Sequence, residues 1–567
     1  MIRTSKYSIE PFNINKVEEY LIREGGMETF LAKKIAQEVD ERLSKTKIEY
    51  LTAPLMREYI NAILLENGLE EVRHRLTRLG APPVEALKLF KSNILPDCFI
   101  KKLGSDVSEQ FLLLTLLPRN LADLYLSGEV ALLNLSYWAL RPLSFYLNTE
   151  TILKFILRRY SNIPKKIEKS RELFNLILNF IDILFDFKPY ISEDLVLGDF
   201  NNRFLSLFAS LTKTKISYFF KLLISQFLRY NNNNFQFKRR SLSLDFSYGE
   251  KEYLYEKNKN QFQIDKIFLN EFNNEIKSNK SLINPLIMFD YSRLNRIDLD
   301  LENNFLDEIN SIILKKDIIF YNLTTSNLIN STIVKVKNSK DKMFLDNKMI
   351  LDKILINLHL ISLEAKQNDD NFYDLLQNKL NSVFELFKCK DMFVKKRLNS
   401  LCGWNNLTTK IFGREDTDWN KNPVKSISFF GLNEAIKIHC GIELDRIKTS
   451  ESFALKSLTL LRELIEEKNE KENENYTLSQ PPGERYLVDS LNNRITHLIK
   501  NGNPYSPRII RKDSKLSLNK KISIFKKFEK IINGGIIFNS PESFNETTIK
   551  EHLKILIGSK LNAISIN

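Results

Sequence analysis

Cysteine and histidine are the scarcest chemistry-bearing residues in these 567: four of the first and five of the second. Cys98, Cys389, Cys402 and Cys440 lie far apart and form no CxxC pair, which argues against a disulfide framework and a structural zinc site. His74, His359, His439, His497 and His552 show no ligand spacing, so no metal is expected. Long apolar runs are missing too. FLLLTLLP is stopped by Pro118 and YFFKLLISQFL is broken by Lys221, both too short to span a bilayer. The N-terminus has no signal-peptide hydrophobic region, so a cytoplasmic protein without membrane contact is expected.

Basic charge is abundant. Lys and Arg number 84 against 70 Asp and Glu, a net +14. Such an excess favours acidic partners: nucleic acid, ribosome or polyphosphate. It also fits an evenly basic surface that affects solubility alone. Two clusters favour the first reading. Thr151–Arg171 holds seven basic residues and one acid, Glu168; Arg508–Lys527 holds eight against Asp513. The candidate polyanion contacts are Lys165, Lys166, Lys169 and Arg171 in one, and Arg508, Arg511, Lys512 and Lys515 in the other.

Periodicity alternates between helix and strand. Asn13 or Asn15 can cap a helix after the extended start MIRTSKYSIEPF. Thr52 can cap the next, where Leu55, Met56, Tyr59, Ile60, Ile63 and Leu64 make an apolar stripe that Gly68 ends. TILKFILRRYSNIPKKIEKSRELFNLILNFIDILF, from Thr151 to Phe185, is strongly amphipathic and reads as long helices; SLSLDFSYG and LINPLIMFD read as strands. Lys395–Arg397 reads as a basic turn.

Several phrases carry a resemblance. Glu66-Asn67-Gly68-Leu69-Glu70-Glu71-Val72-Arg73 and Thr77-Arg78-Leu79-Gly80-Ala81-Pro82 precede the phrase Pro118–Tyr137. Leu355-Ile356-Asn357-Leu358-His359-Leu360, then Glu364-Ala365-Lys366, GLNEA from Gly431, LSQPPGERY from Leu478 and INGGIIF from Ile532 follow in order. Together they resemble the anaerobic (class III, glycyl-radical) ribonucleoside-triphosphate reductases in their archaeal form. The fold this implies is α/β: a mostly helical ATP-cone-like domain over residues 1–90, then a ten-stranded glycyl-radical-type barrel over 91–567.

The resemblance also marks departures. Ile9, Glu10, Pro11, Phe12 and Lys16 fit the cone, but its Lys-Arg-Asp-Gly turn is Thr4-Ser5-Lys6-Tyr7 here. Arg3, Lys6 and Lys16 are the cations left to hold ATP or dATP at a degenerate cone, the one cofactor the resemblance offers. Tyr125, Ala131 and Asn134 replace three family histidines. The family's reaction starts from a thiyl radical on a loop inside the barrel, and no cysteine lies between Cys98 and Cys389. The chain ends without the family's zinc site and glycyl-radical motif, as if truncated there. No catalytic residue is therefore assigned. The expectation is an inactive homologue kept for binding or regulation, with nucleic acid or the ribosome as partner. The alternative is a subunit or nucleotide-sensing partner of an active reductase. The family's helices after residue 150 add a homodimer as an expectation.

Overall fold

The computed structural model describes residues 2–3, 9–10, 12–45, 51–159, 170–230, 241–247, 255–278, 284–292, 309, 312, 318–322, 329–335, 347–413, 418–483, 505–540 and 546–566. Contacts divide the chain between Arg119 and Asn120, so the helices Pro83–Lys91 and Pro96–Phe111 group with the first unit rather than the second.

The first unit is mostly helical, with a small sheet in which β1 (Ile2–Arg3) lies between β2 (Ile9–Glu10) and β3 (Leu51–Thr52). Asn13 caps the helix Ile14–Arg23, its side-chain oxygen accepting from the N–H of Asn15 at 2.9 Å. Val17 and Leu21 pack with Ile35, Val39, Met56, Ile60, Ile63 and Leu64 into one core. Leu55 departs from the expected stripe and is 52% exposed, because it sits a step of about 100° around the helix from Met56. Gly68 ends that helix at φ 68°. Arg73 and Arg75 then belong to a short helix, Glu70–Arg75.

The second unit holds the large sheet. Five parallel strands form one half: β5 (Ser144–Asn148), β6 (Leu195–Gly198), β7 (Leu242–Phe246), β8 (Leu286–Asp290) and β9 (Ile318–Tyr321). The other half has β10 (Lys348–Asn357), β11 (Val424–Phe430), β12 (Tyr476–Leu478), β13 (Phe538–Asn539) and β14 (Ala563–Ile566). The halves meet antiparallel twice, at β5 with β10 (Phe145 opposite Met349) and at β9 with β14 (Phe320 opposite Ile564). Backbone bonds close the remaining gap: Gly534 N–H donates to the Leu478 carbonyl at 2.6 Å and Gln480 N–H to the Gly535 carbonyl at 2.8 Å. Among the described residues, ten strands and these backbone bonds make a ring. An eleventh strand, β4 (Val130–Leu132), pairs with β10 outside it.

Strands covered on both faces are near-continuously apolar, and here every residue of β7, β8 and β11 is buried. Both expected strands, in SLSLDFSYG and LINPLIMFD, form as β7 and β8. Lys395–Arg397 forms no turn but continues the helix Asp369–Asn399, whose internal hydrogen bonds the charged side chains do not interrupt.

Candidate functional site: the barrel interior

One face of each strand points inward. Tyr146, Val196, Leu286, Met288, Ile319, Ile350, Leu355, Val424, Phe430 and Ala563 form a single buried cluster there. Ile329, Ile333 and Val334 belong to the same cluster, so the loop 329–335 runs through the middle of the barrel. A bridge between Ile329 and Lys335 closes it. Its tip is Asn330-Ser331-Thr332, all buried, followed by Ile333 at φ 60°, a strained conformation for a β-branched residue.

Two groups hold the tip. Asp194 accepts from Ser144 Oγ at 2.8 Å, Ser243 Oγ at 2.6 Å, the Ser331 N–H at 3.0 Å and Asn330 Nδ2 at 3.3 Å. Lys353, on β10 and wholly buried, donates from Nζ to the carbonyls of Thr332 at 2.6 Å, Ile333 at 3.2 Å and Gln480. Burial pushes its amine well below the usual lysine range. Ser331 Oγ is buried and has no hydrogen-bond partner.

At the carboxyl ends of the first half, Asp199 follows β6, while Asp245, Asp290 and Tyr321 end or nearly end their strands. Asp245 accepts from the Tyr321 hydroxyl at 2.5 Å and the Asp199 N–H at 2.8 Å. Burial pushes its carboxyl up to about 7 against the pull of those two donors. In the other half, Gly431 at φ 72° turns β11 into the helix Leu432–Cys440; a Cβ there would lie 3.0 Å from His359 Cβ. His359 Nδ1 meets the Tyr505 hydroxyl at 2.8 Å, and burial lowers the imidazole's pKa.

A cavity of about 600 Å³ lies outside the barrel, lined from the helices Thr149–Arg159, Ser170–Phe187 and Cys402–Phe412. It carries both signs of charge, Asp182 and Asp186 against Lys410, which does not make a phosphate cradle. Among the described residues no group of three or more His, Cys, Asp and Glu could hold a metal ion, and no helix is long and apolar enough to cross a membrane.

The residues singled out in the sequence fare unequally. Arg3 lies on β1, Lys6 falls outside the described residues, and Lys16 is exposed on its helix. Lys165, Lys166 and Lys169 also fall outside, and Arg171 is exposed. In the second cluster Lys512 and Lys515 are exposed and Arg508 is half-buried. Arg511 is engaged: it meets Asp445 at 3.0 Å, Asp513 at 3.2 Å and Glu443 at 3.8 Å. Burial pushes Asp445 up, but bonds from Ser514 and Arg511 outweigh it and hold the carboxyl low. Arg511 therefore serves an internal ion network rather than a free surface. Of the histidine replacements, Tyr125 is half-buried, Ala131 is buried in β4, and Asn134 at φ 52° donates to Glu193.

Residues 91–567 match the family model described as anaerobic ribonucleoside-triphosphate reductase. Among solved structures, the chain is similar to the anaerobic ribonucleotide reductase of Thermotoga maritima with citrate in the active site. The TM-score is 0.60 at 14% identity, covering 98% of this chain and 97% of that one. The same enzyme with dATP bound in the specificity site gives 0.65 at 15%, covering 94% and 91%. Among curated proteins none matches the sequence.

Proposed function

The chain belongs to the anaerobic ribonucleoside-triphosphate reductase family, and we propose that it is a member that no longer reduces ribonucleotides and is kept for binding and regulation. The loop inside the barrel supports this reading most. Its tip is Asn330-Ser331-Thr332, and all four cysteines lie on helices: Cys98, Cys389, Cys402 and Cys440. Abstracting a ribose hydrogen needs a thiyl radical. A serine or threonine hydroxyl does not substitute, because its O–H bond is much stronger than S–H and is not cleaved by the same radical donor.

Supplied anaerobically with a radical-activating enzyme, formate and ribonucleotide, the protein is expected to form no deoxynucleotide. Product above the background of a mock preparation would refute the reading.

The binding role we propose is for a polyanion such as RNA or the ribosome. Arg171, Lys512 and Lys515 are its exposed cations, with Arg511 set aside for its ion pairs. Association should weaken steeply with salt, because each phosphate neutralised releases condensed counterions. Arg171→Glu and Lys512→Glu/Lys515→Glu should lower affinity and flatten the log–log salt slope by roughly 0.7–0.9 per contact removed. The fold should survive, since exposed charges contribute little to stability. Absence of association at ~50 mM salt, where charge-driven contacts are strong, would remove this role. A reductase chain co-purifying instead would support the nucleotide-sensing partner.

A further inference from the structure

The Lys353 amine donates to backbone carbonyls alone among the described residues. Its three acceptors are carbonyls, Thr332 at 2.6 Å, Ile333 at 3.2 Å and Gln480, and burial is the one effect that displaces its pKa. Three segments converge there. Lys335 N–H donates to the Gly534 carbonyl at 2.7 Å, and Gln480 N–H donates to the Gly535 carbonyl at 2.8 Å. Gln480 Oε1 accepts from the Ile537 N–H at 2.9 Å. The approach requires glycine: at Gly535, φ 130°, a Cβ would lie 2.6 Å from the Ile333 oxygen, and at Gly534 the same distance from the Leu478 oxygen. These contacts are the ones that close the ring between β12 and β13.

We propose that this carbonyl cage is a binding site for a small monovalent cation, that the Lys353 ammonium is its tethered occupant, and that occupancy holds the loop 329–335 and seals the barrel. Converging carbonyl oxygens replace the hydration shell of potassium or ammonium in the same way. Burial disfavours the charged form and no carboxylate among the described contacts offsets it; three acceptors call for three N–H donors, so the carbonyl dipoles are what holds the amine as an ammonium. An empty cage would leave three buried oxygens facing one another without a donor. The strained backbone at Ile333, whose carbonyl is one of the three, would then lose a contact that holds it.

The test compares hydrogen exchange of wild type, Lys353→Ala and Lys353→Met at one pH and one ionic strength, over residues 329–335 and 478–480. Lys353→Ala in tetramethylammonium chloride should exchange at least about tenfold faster than wild type at Val334 and Lys335, the loss of one charged hydrogen bond. Ammonium or potassium chloride should restore the protection; tetramethylammonium, too bulky for the cage, should not. Lys353→Met refills the channel with an uncharged chain of similar length and should exchange fast in every salt. Lys353→Met protected like wild type would overturn the proposal, because filling would then suffice. Lys353→Ala indifferent to the cation would overturn it too. Should Lys353→Ala fail to fold, the comparison of Lys353→Met with wild type decides alone.

Discussion

Lys390→Met is expected to destabilise the barrel by about 3–5 kcal/mol. Lys390, on the helix Asp369–Asn399, places Nζ 3.0 Å from Asp352 of β10, with both side chains almost wholly buried. The ammonium also lies 5.3 Å from the ring centroid of Trp138. Burial pushes Asp352 up and Lys390 down, each held against that push by the other. Removing the lysine strands a carboxylate in an apolar layer, where it must be desolvated unpaired or take up a proton. Urea unfolding should show a lower midpoint at unchanged slope. Asp352→Val combined with Lys390→Met should recover most of the loss, since an apolar pair of suitable volume replaces a buried ion pair at little cost. A single-variant loss below about 1 kcal/mol, the range of an exposed pair, would show that water reaches the site.

The same strand shows where the sequence could and could not be read. In KMILDKILIN the alternation is hidden, because both faces are buried and Asp352 and Lys353 interrupt the middle. Successive residues of a strand point to opposite faces, so Asp352 meets a helix outside while Lys353 reaches the loop inside. A charged pair in an apolar strand marks buried ionic contacts in general, but the partners lie far away. Lys353 finds Gln480 across 127 positions, and Asp194 finds Ser331 across 137. The acceptors for Lys353 are backbone carbonyls, which no residue type betrays.

Local signals were legible. The cap at Asn13, one of the two asparagines offered, the stop at Gly68 and the strands β7 and β8 each depend on a few adjacent residues. The α/β class followed from the ordered phrases. The central loop did not, since Ile329–Lys335 carries no phrase of its own and its position is set by ring closure. Charge clusters were half legible. Sequence counts the cations of 508–527 but not the acids that the fold brings to them, and Asp445, 66 positions away, claims Arg511.

Stability should fall as pH rises from about 4 to about 7, and Asp245→Asn should abolish the part due to that residue. Asp245 is wholly buried at the end of β7, and its folded-state value of about 7 stands above the ordinary 3.8. Burial is the main cause, with the nearby Asp199 and Asp290 adding to it. Below pH 3.8 both folded and unfolded chains carry the proton, and the contribution to stability is fully present. Between 3.8 and 7 the unfolded chain gives up its proton while the folded chain keeps it, so the unfolded state gains. The loss saturates as pH passes the folded value, at about 4 kcal/mol for a displacement of roughly three pH units. Asparagine is neutral throughout and nearly isosteric. Its oxygen can accept from the Asp199 N–H and its amide can donate to the Tyr321 hydroxyl, which rotates to accept. Chemical denaturation of both proteins between pH 4 and 8 measures the effect as a difference, in which other titrating groups cancel. The variant should gain on wild type with rising pH and level off near 8. Parallel curves would mean that Asp245 is ionised in the folded barrel, with water or a cation admitted beside Asp199 and Asp290 to stabilise its charge.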